Sequence, residues 1–82
     1  MKAHGNFTLQ ISDHVVHASI SGGFNEFGII EYRESVLILV RNETAWVLEN
    51  TISEDAGLTP EALDELIITY KKMEKRGCIA MQ

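Results

Sequence analysis

The stretch from Thr59 to Gly77 constrains the fold more than any other part of this sequence, because it is punctuated as a helix at both ends. Thr59 supplies an N-cap oxygen, Pro60 occupies the first turn, where its missing N–H costs nothing, and Glu61 follows. Lys71, Lys72, Lys75 and Arg76 lie towards the far end, so acids and bases both complement the helix macrodipole, and Gly77 stands where helices commonly close. Leu63, Leu66, Ile67, Tyr70 and Met73 form the stripe expected to be buried. Beyond it, Cys78-Ile79-Ala80-Met81 reads as a short strand.

The upstream segments fall into place around that helix. Phe7-Thr8-Leu9-Gln10-Ile11 alternates strictly, as a strand with one dry and one wet face does, and Ser12-Asp13 signals a turn. Val15 to Ile20 then predicts a second, antiparallel strand with Val16, Ala18 and Ile20 on one face and Val15, His17 and Ser19 on the other. Ser21-Gly22-Gly23 breaks this strand, and Asn25 is a credible N-cap with Glu26 in the first turn. Ile29, Tyr32, Val36, Leu39 and Val40 make one helical stripe, with Glu31, Arg33, Glu34 and Arg41 mostly off it. Val36–Val40 also fits a buried strand, but the stripe begins two turns earlier, which favours the helix. Thr44-Ala45-Trp46-Val47-Leu48 is apolar on both faces, as a central strand would be, and 50–58 reads as a long polar connection.

The expected architecture is therefore a single α/β domain over residues 1–82, ordered β-β-α-β-α-β. Two successive β-α-β units with right-handed crossovers give a mixed four-stranded sheet with both helices on one face. The opposite face would be uncovered, showing Thr8, Gln10, Val15, His17 and one side of the strand carrying Trp46 or Val47. Exposed apolar area of that kind predicts self-association, most simply a homodimer.

Charge narrows the range of partners. Seven Lys and Arg stand against twelve Asp and Glu, a formal −5. The two ends of the chain are balanced, and the excess lies in 26–55, where Glu26, Glu31, Glu34, Glu43, Glu49, Glu54 and Asp55 face only Arg33 and Arg41. Without a basic face, nucleic acid is not an expected partner. The longest apolar run, Val36 to Val40, is far too short to span a membrane, and the N-terminal residues show no signal-peptide pattern, so a cytoplasmic protein is expected.

The candidate reactive groups read as ordinary structure. His14 and His17 would point to opposite faces of a strand and could not share an ion, His4 lies near the terminus, and no metal or cofactor is expected. Cys78, the only cysteine, begins a core strand and reads as a packing residue. Glu49, Glu54 and Asp55 lack an accompanying base or nucleophile, and Ser21-Gly22-Gly23-Phe24 lacks the lysine or glycine spacing of a phosphate loop. An enzyme is not expected.

A binding edge is expected instead. The connections after the second and third strands should emerge together at the carboxyl edge of the parallel strands, where open α/β sheets bind their ligands. Ser21, Gly22, Gly23, Phe24 and Asn25 from one connection, with Asn50, Thr51, Ser53 and Asp55 from the other, are the candidate partner-binding residues. Thr59 and Ser53 are candidate phosphate acceptors, the plainer reading of Thr59 being a helix cap.

Several segments carry a family resemblance. These are His4-Gly5-Asn6-Phe7-Thr8-Leu9, Ile20-Ser21-Gly22-Gly23-Phe24-Asn25-Glu26-Phe27-Gly28, Thr44-Ala45-Trp46-Val47-Leu48-Glu49-Asn50 and Gly57-Leu58-Thr59-Pro60-Glu61-Ala62. Together they resemble the STAS family, named for sulphate transporters and anti-sigma factor antagonists, and within it the small bacterial proteins called SpoIIAA-like. The resemblance implies a non-enzymatic regulatory module that binds a protein partner, with a phosphorylatable serine in a DSSG-like motif opening the second helix. The corresponding positions here read Glu54-Asp55-Ala56-Gly57-Leu58-Thr59, with no serine in register. It also implies a further helix after the last strand, so that either this is a shortened version or a second subunit supplies the missing cover. The alternative is a carrier of a small apolar or lipid-like ligand between helices and sheet, with Phe24, Phe27, Tyr32, Trp46 and Tyr70 lining the cavity.

Overall fold

A computed structural model describes residues 2–82. It contains β1 (Asn6–Ser12), β2 (Val15–Ser21), β3 (Gly23–Phe24), α1 (Glu26–Leu39), β4 (Trp46–Ile52), β5 (Gly57–Leu58), α2 (Pro60–Lys75) and β6 (Cys78–Met81). The main sheet has the order β1-β2-β4-β6, antiparallel between β1 and β2 and parallel across the rest. Both helices cover one face and pack against each other, the arrangement that two right-handed crossovers produce. No helix among the described residues is long and apolar enough to cross a membrane.

Local chemistry sets each element. The β1–β2 hairpin turns on Asp13 and His14, both with positive φ (51° and 64°), a pairing whose twist matches that of the flanking strands. His14 therefore lies in the turn, not on the strand where the sequence placed it. Asn25 caps α1 by accepting from the Gly28 N–H at 2.9 Å, and Val36–Leu39 is helical, settling the strand alternative. Thr59 caps α2 through the Ala62 N–H at 3.1 Å, Pro60 begins it, and Gly77 follows the last turn at φ 103°.

The core joins Val16, Ala18, Trp46, Leu48 and Cys78 of the sheet to Tyr32, Val36, Val40 and Met73. Trp46 is fully buried and donates its indole N–H to the Arg76 carbonyl at 3.0 Å. It therefore faces the helices, and Val47 is the β4 residue that turns outward. The uncovered face exposes Thr8, Gln10, His17, Ser19, Glu49 and Thr51, with half-buried Val15 and Val47 paired beside them. His17 and Glu49 pair across it at 3.1 Å.

Three further expectations need correction. The third strand is longer than predicted, so Asn50, Thr51 and Ile52 belong to β4 and the connection begins at Ser53. The glycine-rich segment and Gly57-Leu58 are not simple loops, because β3 and β5 pair in parallel as a second, two-stranded sheet. The buried line of α2 is Ala62, Thr69 and Met73 with half-buried Leu66 and Tyr70, leaving Leu63 and Ile67 about half exposed. This rotation follows from Arg33 of α1. It is buried between the helices, donates to Glu65 at 2.9 Å and to Thr69 at 3.4 Å, and so turns a polar pair inward.

Candidate functional site

The carboxyl ends of β2 and β4 part company with the main sheet after the Ile20–Ile52 pair, and the two chains re-pair at once as β3 and β5. Backbone bonds tie the rim: Ser53 N–H donates to Ile20 O at 2.9 Å, Gly57 N–H to Gly22 O at 3.1 Å, and Thr59 N–H to Phe24 O at 3.0 Å. The two connections expected at one edge are thus joined there.

Beneath the β3–β5 ribbon lies an open recess of about 300 Å³, at the small end of the range for ligand pockets. Its walls are Ile20 and Ile52 of the sheet, Phe24 and Leu58 of the ribbon, Ile29 and Tyr32 of α1, and Leu66 and Tyr70 of α2. Ala56 and Gly57 form part of the lip, and Asn50 supplies the polar group furthest into the sheet. The lining contains no charged side chain. Burial pushes the Tyr32 and Tyr70 hydroxyls above the ordinary phenol range, so both stay neutral at physiological pH.

Asn50 stands out by position. Inward-facing residues of β4 run Trp46, Leu48, Asn50, Ile52: the first two are sealed, and Ile52 is 65% exposed at the mouth. The amide therefore sits where sealed core gives way to open recess. It accepts from the Tyr32 hydroxyl at 3.3 Å and pairs across the sheet with small Ala18, which leaves room above the strand.

The candidate residues divide around this site. Phe24 is 2% exposed and forms its wall, and Asn50 its floor. Gly22 and Gly23 shape the ribbon beside it. Asn25 is committed to structure: its oxygen accepts from His4 N–H and Gly28 N–H, both at 2.9 Å, while its amide donates to Lys2 O. Thr51 lies on the other face of β4, and with Ser21 and Ser53 it borders a broad surface groove rather than the recess. Asp55 accepts from the Ser53 hydroxyl and from Gly22 N–H at 3.3 Å, and these bonds hold its carboxyl below the usual range. Ser53 is thereby engaged in clamping the rim, and Thr59 in capping α2.

Of the aromatic residues proposed to line a cavity, Phe24, Tyr32 and Tyr70 do so, whereas Trp46 is sealed in the core and Phe27 lies outside the lining. Burial raises the Cys78 thiol as well, away from the reactive thiolate range. No group of three or more metal-ligating side chains occurs among the described residues. In comparisons with known proteins, no family model and no curated protein matches this chain.

Proposed function

We propose that this protein is a non-catalytic, cytoplasmic binding module that holds a small apolar or lipid-like molecule in the recess between its helices and its sheet. The observation that carries this reading is the recess itself, an uncharged cavity of about 300 Å³ opening at the carboxyl edge of the parallel strands. Sequence alone favours a docked protein over a carried molecule, and the recess reverses that preference. A packed core of this size has little volume to spare, and an unfilled apolar cavity costs stability that a ligand restores. The cytoplasm suits a chain whose only cysteine is an unpaired, buried thiol.

A second reading keeps the STAS-like regulatory module, with a protein partner at the same rim. Ile52 and Leu58, 65% and 44% exposed in the lining of the recess, favour it, since they give the mouth an apolar border that a partner's surface would cover. Native mass spectrometry of freshly purified protein separates the two. A retained mass of small-molecule size, lost on organic extraction, supports the carrier. A bare homo-oligomer, or ligand-free monomer that apolar probes fail to stabilise against heat, refutes it and leaves the interaction module.

A further inference from the structure

Asn50 is an anomaly of placement. The other inward-facing residues of β4 are Trp, Leu and Ile, as a central parallel strand requires, and an amide there has to be satisfied by something. An asparagine side chain offers two donor hydrogens and one acceptor oxygen. The oxygen accepts from the Tyr32 hydroxyl, the amide nitrogen makes no hydrogen bond among the described residues, and the side chain lines the recess. One end of the cavity thus offers an amide donor within uncharged walls whose other polar side-chain groups are the Tyr32 and Tyr70 hydroxyls.

The surroundings restrict what that donor can serve. No lysine, arginine or histidine borders the recess to neutralise an anion. Glu54, Asp55 and Glu61 stand exposed on the connection and first helical turn beside the mouth, and they disfavour negative charge further. A cation would find no carboxylate in the lining and would lose its hydration in an uncharged cavity. At roughly 30 Å³ per heavy atom, the liquid-water packing volume, the cavity has room for about ten non-hydrogen atoms.

Building on the carrier reading, we propose that the recess binds a small neutral molecule with one hydrogen-bond acceptor, its carbonyl or ether oxygen on the Asn50 amide and its apolar body against Ile20, Ile29, Leu66 and Leu58. Tyr32 is a positioning residue, because its hydroxyl holds the amide oxygen and so turns the nitrogen towards the ligand. The apolar border at Ile52 and Leu58 lies where the ligand's far end leaves the cavity.

The test titrates the full chain with 2-nonanone, a neutral ketone of matching size, and with nonanoate, its anionic counterpart, following backbone and Asn50 side-chain amides by ¹⁵N NMR. The ketone should shift the Asn50 side-chain pair together with Ile20, Gly57 and Tyr70 signals, and bind at least about tenfold more tightly than nonanoate. Asn50→Leu, which removes the donor at similar volume, should weaken the ketone about fivefold, the worth of one neutral hydrogen bond. Asn50→Asp, nearly the same shape but without donors, should weaken it more, and its spectrum guards against a Leu variant that fails to fold. Equal ketone affinity in wild type and both variants, or equal binding of ketone and nonanoate, overturns the assignment of Asn50 while leaving the carrier reading in place. Absence of any recess shift with either probe overturns the carrier reading and this assignment together.

Discussion

Substituting Gly28 by alanine should destabilise this protein, although the same change in most helix interiors stabilises. Gly28 lies in the first turn of α1 and is buried, and the N-terminal segment crosses directly over it. A Cβ built there falls 3.0 Å from the His4 carbonyl carbon, nearer still to its oxygen, and 3.2 Å from the Phe24 ring. Neither obstacle yields cheaply, since one is backbone and the other is 2% exposed. Alanine gains about 1 kcal/mol of helix propensity over glycine. Against that, moving the His4 carbonyl away strains three bonds that fasten the segment: Asn25 N–H to His4 O at 3.4 Å, His4 N–H to Asn25 Oδ1 at 2.9 Å, and Asn25 Nδ2 to Lys2 O at 2.9 Å. At about 1 kcal/mol each, their loss outweighs the propensity gain and leaves a net cost of roughly 2 kcal/mol. Urea and thermal unfolding measure it, with a fall in Tm of about 8–16 °C expected for a domain of this size. Gly23→Ala is the control, for a Cβ there meets nothing within 4 Å. Deleting residues 1–4 should reverse the sign, so that Gly28→Ala then stabilises. A Gly28→Ala protein as stable as wild type in the full chain would refute the account of the N-terminal strap.

Three other outcomes follow from the rim and the helix interface. Thr59→Ala should cost about 1 kcal/mol in urea unfolding, with Thr59→Ser close to neutral, because the hydroxyl serves as the α2 cap; a partner-dependent effect without a stability change would instead favour Thr59 as a phosphate acceptor. Glu65→Ala should cost about 2–3 kcal/mol by leaving the Arg33 guanidinium buried beside Thr69 alone, whereas Arg33→Met combined with Glu65→Leu should recover all of it or more, as denaturation of wild type and the two variants would show. The Asp55 carboxyl is held below its ordinary range by Ser53 and Gly22, so the stability it adds is complete above roughly pH 4 and is lost as pH falls through its lowered native value. Hydrogen exchange at Gly22, corrected for intrinsic rate, should accelerate in that acid window in wild type and show no such step in Asp55→Asn.

What sequence patterns made legible, and what they did not, divides along physical lines. Both helices were bounded by residues whose side chains act within their own turn, Asn25 and Thr59 at the starts and Gly77 at an end, and such signals survive without tertiary information. The β1 faces followed from strict alternation, and the placement of both helices on one face of the sheet from the crossover rule. The β3–β5 ribbon was invisible because two-residue strands have no period to detect, and their pairing partner lies 34 residues away in the Gly23–Gly57 register. Arg33 was read only as lying off the apolar stripe of α1; Glu65 and Thr69, on the other helix, make its burial tolerable. That same pair rotated α2 away from its most apolar stripe. Asn50 was flagged for the wrong local reason, as part of a loop, although the parity of Trp46, Leu48, Asn50 and Ile52 already placed it on the inner face once the strand was extended.

The recess is a consequence of these departures acting together. Had α2 turned Leu63 and Ile67 inward, as its hydropathy alone suggests, their side chains would have competed for the volume over Ile20 and Ile52. The buried Arg33–Glu65 pair instead fixes the helix in a rotation that presents Leu66 and Tyr70 at half depth. The β3–β5 ribbon, clamped through Asp55 and the three rim backbone bonds, fixes Leu58 at the mouth, while Phe24 packs in a cluster with Phe7 and Ile20 and closes one wall. A buried ion pair contributes little net stability compared with an apolar replacement, and an open apolar cavity subtracts some. Both costs fall on one small domain and both maintain the same space. The apolar double replacement of Arg33 and Glu65 should therefore keep or raise stability while α2 rotates and the recess closes, so that 2-nonanone binding is lost from a protein that folds as well as before. Retention of full ketone affinity in that variant would separate the helix pair from the cavity and leave the ribbon alone responsible for holding it open.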